Sequence, residues 1–528
     1  MRSSLRHPRI RVSSTTHMRA TRRELLGLTA LGVLAAGAAP AGAARGPLVY
    51  AAHISLAPTW FDPAETPGIV TPFMLLYALH DGLVKPMPDN PAEPCLAESY
   101  NASADGLSHS FTLRAGVKFH NGEQVTAEDV KFSFERYRGN AAGFIKDKVA
   151  RVETLDPQRI VFHLHRPWPD FLLYYSSVTG AGWIVPKKYV ESVGEDGFKK
   201  EPIGAGPYKF VSFTPGVELV MEAFDGYWRK VPTVKRLIWK VIPDEATRLA
   251  ALKRGEVDIA YSIRGELAEE LQRTRGLTLK PVLINSPFWI YFADQWDPKS
   301  PWSDERVRKA VTLALDREGI NQALTLGHSL LTGSIVPKDY EFYWQPPKIP
   351  YDPAGARRLL AEAGFRGGFD GGEYFCDASY ANLGEAAVNS LTAAGIRLKL
   401  RPMERAAFTK EYGEKKYRNL IQGGSGAFGN AATRMETFVV KGGAYVYGNY
   451  PDIDELFAQQ AAETDRAKRT AILHRMQQLV HERTVYAPLW QLAFLNGQGS
   501  RVEESAFGLI SGHPYSAPYE DVRLKGDA

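Results

Sequence analysis

A glycine-rich hexapeptide at 424–429 has a residue spacing that is known from ligand-binding loops. Gly424, Gly426 and Gly429 follow a predicted strand at 419–422 with the G-x-G-x-x-G spacing of loops that bind the pyrophosphate of a dinucleotide. Such a site also needs a further strand and, about 20 residues on, an acidic residue for the ribose. The residues after Gly429 instead predict a helix without that strand and acid. We therefore expect no nucleotide at this loop.

Other side chains that could act in catalysis or bind a metal lack the partners that their chemistry requires. His163 and His165 lie on the same face of a predicted strand, but no third metal ligand is near them in the sequence. His481-Glu482 lacks the second histidine of H-E-x-x-H, and Ser425 lacks the second glycine of G-x-S-x-G. We expect a solvated strand face at the two histidines, and a protein that has no cofactor and is not an enzyme.

The stretch 110–137 predicts the kind of element that must position any site. Apolar residues alternate with polar ones at 111–113 and 117–119, as in strands covered on one face. Asn121-Gly122 predicts a turn, because both residues tolerate positive φ. Thr126 followed three residues later by Asp129 forms a capping-box pattern and predicts the start of a helix.

The N-terminus has the features of an export signal. Arg22-Arg23 precede an apolar run from Leu25 to about Ala39, and small residues for cleavage follow at 41–43. The run is shorter than the roughly 18 to 20 apolar residues that span a bilayer. We predict a twin-arginine signal peptide at 1–43 that is cleaved, and no lipid anchor, because no cysteine closely follows the run.

The net charge argues against a nucleic-acid partner. The formal net charge is +5, but residues 1–43 contain seven arginines and one glutamate, so the 64 basic and 59 acidic residues become 57 and 58 after cleavage. A processed chain with almost no net charge lacks the basic excess that binds nucleic acid or anionic membranes. At 528 residues the chain is also too long for one core, so we expect two or three domains.

Several segments together resemble the signature of the family 5 extracellular solute-binding proteins. These proteins are the oligopeptide, dipeptide and nickel-type receptors of ABC importers. The first match consists of four segments that follow one another along the chain: LAESY (96–100), DGL (105–107), FTLRAGVKFHNGE (111–123) and TAEDV (126–130). Further matching segments are 202–210, where we expect the glycines to adopt unusual φ, and 304–310, 351–354 and 359–365. The resemblance covers nearly the whole processed chain.

The family resemblance implies an α/β fold with two lobes, the type II periplasmic-binding-protein fold with an extra subdomain in the first lobe. The implied ranges are 44–80, 200–283 and 490–528 for the core of lobe I, 81–199 for the extra subdomain, and 284–489 for lobe II. Cys95 and Cys376, the only two cysteines, would then lie in different lobes. We therefore expect two unpaired thiols.

The function that the resemblance implies is that of a periplasmic substrate-binding component of an ABC importer. Such a protein captures a peptide or peptide-like small solute between its lobes and delivers it to permease subunits in the inner membrane. We expect a monomer. A periplasmic hydrolase on the same scaffold is the alternative of another class, and it would need a nucleophile and a base in the cleft.

Eight residues are predicted to border the ligand. They are Trp60 in the loop after the first strand, Tyr291 and Asp294 at the end of an aromatic strand, Phe428, Asn430 and Arg434 in and after the glycine-rich loop, Tyr445 in an aromatic segment, and Trp490 near the return to lobe I. Core packing is the alternative for Trp60 and Tyr445, and a capping or surface role is the alternative for Asp294.

The glycine-rich loop leaves the class of ligand open. Peptide receptors of the family commonly carry an aspartate there for the amino terminus of the ligand, whereas this loop contains Phe428 and no acid. A buried ammonium without a carboxylate is strongly disfavoured. Either Asp294 supplies the charge, or the ligand is not a free peptide but an opine, a sugar conjugate or a metal chelate. In that case Arg405 or Arg434 could bind a carboxylate.

Overall fold

The computed structural model describes residues 46–66, 71–139, 142–178, 180–424, 429–463, 465–510 and 513–526. The predicted signal peptide and Phe428 lie outside these ranges. Within them, no helix is long and apolar enough to cross a membrane. Residues 46–528 form one compact unit of mixed helices and strands.

The strands of this unit vary from short edge pieces to two that are unusually long. They are β1 (Leu48–Ala52), β2 (Val84–Met87), β3 (Asn90–Pro94), β4 (Ala97–Ala102), β5 (Ser108–Leu113), β6 (Val149–Asp156), β7 (Arg159–Leu164), β8 (Tyr208–Thr214), β9 (Glu218–Ala223), β10 (Arg236–Val241), β11 (Ile259–Ala260), β12 (Thr278–Phe292), β13 (Leu330–Leu331), β14 (Phe369–Asp377), β15 (Ile396–Met403), β16 (Leu420–Gly424), β17 (Tyr486–Gln498), β18 (Val502–Glu504) and β19 (Arg523–Leu524).

The helices connect these strands. They are α1 (Phe73–Leu79), α2 (Ala127–Arg136), α3 (Ala142–Lys146), α4 (Phe171–Leu173), α5 (Lys187–Lys200), α6 (Glu245–Lys253), α7 (Gly265–Arg273), α8 (Glu305–Ala314), α9 (Arg317–Thr325), α10 (Pro353–Glu362), α11 (Ala381–Ala393), α12 (Arg405–Gly413), α13 (Ala431–Phe438), α14 (Pro451–Ala462) and α15 (Arg466–Glu482).

The main sheet consists of two groups of strands joined by the two long strands. Its order is β15-β14-β16-β12-β17-β11-β1-β10-β9-β8. We call β1 and β8–β11 the first strand group, and β14–β16 the second strand group. The second group pairs with the end of β12, at 288–292, whereas β11 pairs with the end of β17, at 497–498. The long strands therefore carry the chain from one group to the other.

The pairing of β12 with β17 is irregular in its middle. The register is regular from Thr278 opposite Gln498 to Leu283 opposite Ala493, and then shifts twice, on either side of Pro287. Proline has no backbone N–H to donate, so within a sheet it is tolerated at an edge or a bulge. Bulges bend a strand and interrupt its ladder. The middle of the connection is thus the place where the backbone hydrogen bonds resist bending least.

A separate four-stranded sheet, β4-β5-β7-β6, packs against α2 and forms a second core. The predicted capping box is present, because the Thr126 backbone N–H donates to Asp129 Oδ2 at 2.9 Å. Gly122 has a φ of +89°, as the predicted turn requires. The predicted strand at 117–119 was wrong: its apolar side chains are buried, but the backbone makes only an isolated bridge between Lys118 and Gln124.

The two cysteines are buried and form no disulfide. Cys376 lies on β14 in the core of the main sheet, whereas Cys95 precedes β4. Burial raises the pKa of the Cys376 thiol to about 12 and raises that of Cys95 further. Neither thiol has the lowered pKa of a reactive cysteine.

Candidate functional site

The carboxyl ends of the two strand groups point towards each other. β11 runs antiparallel to β17, β17 to β12 and β12 to β16, so that the first group, apart from β9, runs in the opposite direction to the second group. β11 ends at the level of Leu279 on β12, and β16 ends at the level of Phe288. In open α/β sheets, ligands bind beyond the carboxyl ends of the strands. Here both sets of ends face the same space, beside the irregular part of β12.

The loops that leave these ends contact one another through a group of mostly charged and aromatic side chains. We call it the arginine cluster, and it consists of His53, Arg264, Asp377, Tyr380, Arg405 and Tyr515. Arg264, from the loop after β11, donates from Nη1 to the carbonyl oxygen of Ser379, after β14, at 3.0 Å. Arg405 donates from Nη1 to Thr71 Oγ1 at 2.6 Å. Each arginine therefore joins a segment near the first group to one near the second.

Tyr380 provides the aromatic surface on which both guanidinium groups lie. The Cζ atoms of Arg264 and Arg405 are 5.0 and 5.3 Å from the centroid of its ring, within the range of cation–π attraction. In the same cluster, the rings of His53 and Tyr515 have centroids 4.7 Å apart. Arginines stacked on an aromatic face are held in orientation as well as attracted.

The backbone next to Arg264 has an uncommon conformation. Ser262 has a φ of +58°, in the left-handed region that a residue with a Cβ seldom adopts. Its Oγ accepts from Arg264 Nη2 at 2.7 Å, and its carbonyl oxygen accepts from Arg248 Nη2 at 2.7 Å. Conformations of this kind are concentrated at functional sites, where the surrounding contacts impose them. The hydrogen bond to Ser262 Oγ helps to hold the Arg264 guanidinium in place.

The arginine cluster carries an excess of positive charge. Asp377 Oδ2 lies 2.7 Å from Arg405 Nε and pairs with it. Among the described residues, no carboxylate lies within 4.0 Å of the Arg264 guanidinium, which is 5% exposed. Burial and the nearby Arg405, Arg248 and Arg264 lower the pKa of His53 well below its usual value. His53 is therefore neutral at pH 7, and its two ring nitrogens have no partner within the described ranges.

A second set of polar contacts links α13 and α15 to the segment 148–174, at the four-stranded sheet. We call it the α13 contact: Lys148, Asp170, Tyr174, Asn430, Glu436 and Arg469. Asp170 accepts from Asn430 Nδ2 and from Arg469 Nη2, both at 2.7 Å. Glu436 accepts from Tyr174 Oη at 2.8 Å and from Lys148 Nζ at 3.3 Å. Segments almost 300 residues apart are thus joined by charged hydrogen bonds.

Two of the predicted site residues, Asn430 and Arg434, lie on or just before α13. Asn430 caps the helix and is held by Asp170, so both polar atoms of its side chain have a protein partner. Arg434 is 5% exposed, donates to Tyr340 Oη at 3.2 Å, and lies over the rings of Tyr340 and Phe438. Contact of either residue with a ligand stays a prediction.

Four further predicted site residues are buried in a core or held in aromatic packing. Trp60 and Trp490 are 4% and 1% exposed and belong to the core of the main sheet. Tyr291 stacks on Tyr486 at 5.0 Å, and Tyr445 lies against Phe438 at 5.4 Å. Trp490 lies on the irregular part of β17, and its Nε1 has no acceptor among the described residues; ligand contact by these four residues stays a prediction.

Asp294 is already bound by protein donors. Its Oδ2 accepts from the backbone N–H of Asn419 at 2.8 Å, and its Oδ1 lies 3.4 Å from Arg418 Nη1. A carboxylate that is satisfied in this way has less capacity left for a ligand ammonium. The role of Asp294 in ligand binding stays a prediction, and the structure gives it a second, local role.

Sequence reasoning named Arg405 as a possible partner of a carboxylate but missed most of the arginine cluster. His53, Arg264 and Tyr380 each follow within four residues of the end of a strand, at β1, β11 and β14. This position was the available signal, because strand ends border ligand sites in open sheets. Tyr515, from the C-terminal segment, had no such signal.

A cavity of about 200 Å³ lies away from the facing strand ends, between α8, α15 and the segment 333–350. Trp344, Gln477 and His481 are among the residues that line it. It contains none of the eight predicted residues and none of the arginine cluster. We therefore place the candidate site at the facing strand ends and not in this cavity.

The comparison with protein families decides the classification. Residues 92–445 match the model described as bacterial extracellular solute-binding proteins, family 5 middle. The chain belongs to the family 5 bacterial extracellular solute-binding proteins. The predicted family and the α/β fold of periplasmic peptide-binding proteins are thereby confirmed. This is a family of solute-binding receptors, and not a family of enzymes.

Individual members of family 5 resemble the chain at modest identity. The glutathione-binding protein GsiB of Salmonella choleraesuis (strain SC-B67) is 29% identical over 349 residues, which are 65% of this chain and 66% of that protein. The chain thus matches slightly less than two thirds of the length of this relative.

Two solved structures of similar proteins cover almost the whole chain. DppA from Helicobacter pylori, in complex with the peptide STSA, has a TM-score of 0.79 at 22% identity and covers 91% of this chain and 98% of its own. AgaA from A. tumefacien R10, in complex with agropinic acid, has a TM-score of 0.78 at 25% identity, with 91% and 99% covered. One fold thus accompanies ligands of different chemistry.

Proposed function

We propose that the protein is the substrate-binding component of an ABC importer and captures a peptide or peptide-like small solute between the two strand groups. The observation that carries the proposal is that the carboxyl ends of both groups face one space, which is bordered by the irregular part of β12 and β17. Membership of family 5 supports the same role. Delivery of the solute to permease subunits in the inner membrane completes the proposed cycle.

The proposed mechanism is closure about the irregular part of the long strands. A ligand that contacts both groups in the closed state, and one group in the open state, stabilises the closed state by the difference in its affinity. The register shifts around Pro287 support this location for the bend. The lobe ranges 44–80, 200–283 and 490–528, 81–199, and 284–489 belong to the same proposal.

The proposed site includes the eight residues predicted from the sequence, together with the arginine cluster. A similar relative is described as glutathione-binding, and similar structures hold a peptide and an opine acid. These descriptions favour a ligand that is a peptide or resembles one in size and polarity. The lack of an acid at Phe428 favours a ligand without a free amino terminus at that loop.

The proposed location is the periplasm, reached by the twin-arginine route, with the protein acting as a monomer. The pair Arg22-Arg23 and the following apolar run support the route. Fractionation of cells that express the full chain tests it: the double substitution R22K and R23K should keep the protein in the cytoplasm. Periplasmic recovery of that variant would contradict the route without affecting the binding role.

A thermal-shift panel tests the binding role. We would compare glutathione, di- to pentapeptides, opine acids, oligosaccharides, aromatic acids and chelated nickel. A ligand at about 100 times its dissociation constant adds roughly 2.7 kcal/mol to the stability of the protein that binds it, which raises the melting temperature by degrees. A shift with one class identifies the ligand class. Turnover of a bound compound, instead of simple binding, would contradict the receptor role.

A further inference from the structure

Arg264 is a buried residue whose guanidinium group forms no ion pair with a carboxylate among the described residues. Its guanidinium donates to the Ser379 carbonyl oxygen and to Ser262 Oγ, which are neutral acceptors, and its Nε has no partner among the described residues. Burying a charge without a counterion is costly, and a buried cation is normally paired. Arg248, which is buried nearby, donates to four carbonyl oxygens, and Glu245, whose Oε1 accepts from the backbone N–H of Arg264, contributes one negative charge beside these two arginines.

The second arginine of the cluster leaves the same imbalance. Arg405 pairs with Asp377 through Nε, and its buried Nη2 has no carboxylate partner among the described residues and lies beside Tyr380. Two guanidinium groups and one carboxylate give the cluster a formal charge of about +1, since His53 is neutral. The charge that would balance the cluster is therefore a single negative one.

We propose that the arginine cluster binds a carboxylate of the transported solute, so that the receptor selects acidic ligands. The proposal rests on the receptor role proposed above and names the ligand class of the same site. Arg264 Nε, Arg405 Nη2 and a ring nitrogen of His53 donate to the carboxylate, and Tyr380 holds both guanidinium groups in orientation. Because Arg264 and Arg405 come from opposite strand groups, the carboxylate also ties the two groups together.

The charge of the cluster favours a carboxylate over a phosphate. A phosphate monoester carries about −1.5 to −2 charges at pH 7, which exceeds the formal charge of the cluster, and Asp377 would repel the excess. A carboxylate carries one charge on two oxygens, and arginine donors match its planar geometry. Phosphorylated solutes are therefore expected to bind more weakly than the corresponding carboxylates.

Matched pairs of acids and neutral analogues test this selection on the unmodified protein. We would measure binding of glutathione and its dimethyl ester, of trialanine and trialanine amide, and of glutarate and glutaramide by calorimetry. Acetate and acetamide at constant ionic strength complete the set as minimal probes. The expected result is that the acid binds about 10- to 100-fold more tightly than its partner, the range for a hydrogen bond to a charged group. Equal binding of acid and neutral analogue would overturn the proposal.

Substitutions then assign the effect to the cluster. R264Q and R405Q should each abolish the preference for the acid, and R264K should keep part of it, because lysine retains the charge without the planar fork. The control is R475Q, which removes an exposed arginine paired with Glu482 and should keep the full preference. If R264Q retained the preference, another group would bind the carboxylate and the assignment would be wrong.

The two proposals fail in different ways. If oligosaccharides or other neutral solutes stabilise the protein and no acid does, the receptor role stands and the carboxylate site is overturned. If acetate raises the melting temperature of the unmodified protein by degrees and leaves that of R264Q unchanged, the carboxylate site is supported even where no transported solute is found. If neither acids nor neutral solutes bind, both proposals fail.

Discussion

Tyr174 Oη donates to Glu436 Oε2 at 2.8 Å, across a separation of 262 residues. The donor begins the π-helical segment Tyr174–Val178, directly after α4, and the acceptor lies on α13. Burial raises the pKa of Glu436 to about 7, although the nearby Lys148 acts to lower it. A contact between two distant segments therefore depends on a carboxyl group that titrates near neutral pH.

The first prediction concerns the pH dependence of stability. The pKa of Glu436 is raised from 4.5 to about 7, so between these values the folded state holds a proton that the unfolded state has lost. The free energy of unfolding should therefore fall as pH rises from about 4.5 to about 7, by up to about 3 kcal/mol from this group. The titratable groups that face it are Lys148, Tyr174 and Asp170.

Urea unfolding of the unmodified protein and of E436Q between pH 4.5 and pH 8 measures this dependence. The variant should lose the part of the slope that Glu436 contributes. The free energy of unfolding of E436Q, minus that of the unmodified protein, should therefore be larger at pH 8 than at pH 4.5. E482Q, at an exposed glutamate, is the control and should keep the slope. Parallel curves for E436Q and the unmodified protein would show that Glu436 has an ordinary pKa.

The second prediction concerns the buried pair of Asp170 and Arg469. The two residues are 6% and 7% exposed, and Asp170 also accepts from Asn430. D170N leaves the Arg469 charge uncompensated and should lower the free energy of unfolding by about 3–5 kcal/mol. E482Q, which removes the exposed partner of Arg475, should cost no more than about 1 kcal/mol. A loss below about 1 kcal/mol for D170N would mean that the α13 contact is open in solution.

The third prediction compares two glycines. A Cβ on Gly206 would lie 2.5 Å from the Ala78 carbonyl oxygen and 2.6 Å from the His80 backbone nitrogen, so G206A should cost about 1–3 kcal/mol. Gly413 is exposed in α12 with nothing within 4 Å of its Cβ position, and G413A should stabilise by about 0.5–1 kcal/mol. Thermal melts of both variants measure the difference, and shifts of the same sign would contradict it.

The fourth prediction concerns the thiols. Cys95 and Cys376 are 1% and 0% exposed, and burial raises the pKa of both. A disulfide reagent such as dithiobis(nitrobenzoate) should therefore react with neither in the folded protein at pH 8, and with both in denaturant. Rapid reaction of one thiol without denaturant would show that its surroundings open in the native state.

Local patterns predicted individual elements well, because each pattern is complete within a few residues. The capping box at Thr126 and the turn at Asn121-Gly122 were both predicted from neighbouring residues alone. The prediction that the glycines at 204 and 206 adopt unusual φ was wrong, and the structure shows another reason for glycine at these positions. Neither has positive φ; each lies against the backbone of 78–80, a long-range approach that the segment itself does not encode.

The candidate site was only partly predictable for the same reason. His53, Arg264, Tyr380 and Tyr515 come from four separate segments, and only the pairing of the sheet brings those segments together. Arg264 is an ordinary arginine in the sequence. Its burial without a counterion, which gives it significance, is a property of the assembled sheet.

The long strands also have a consequence for how the chain folds. β12 pairs along most of its length with β17, yet residues 293–485 separate the two strands in the chain. At about 5–20 residues per second, synthesis of that separation takes roughly 10–40 s. During this time one edge of β12, with its row of unpaired backbone groups, has no partner and can pair with other chains. This edge of β12 is therefore exposed to aggregation until β17 has been made.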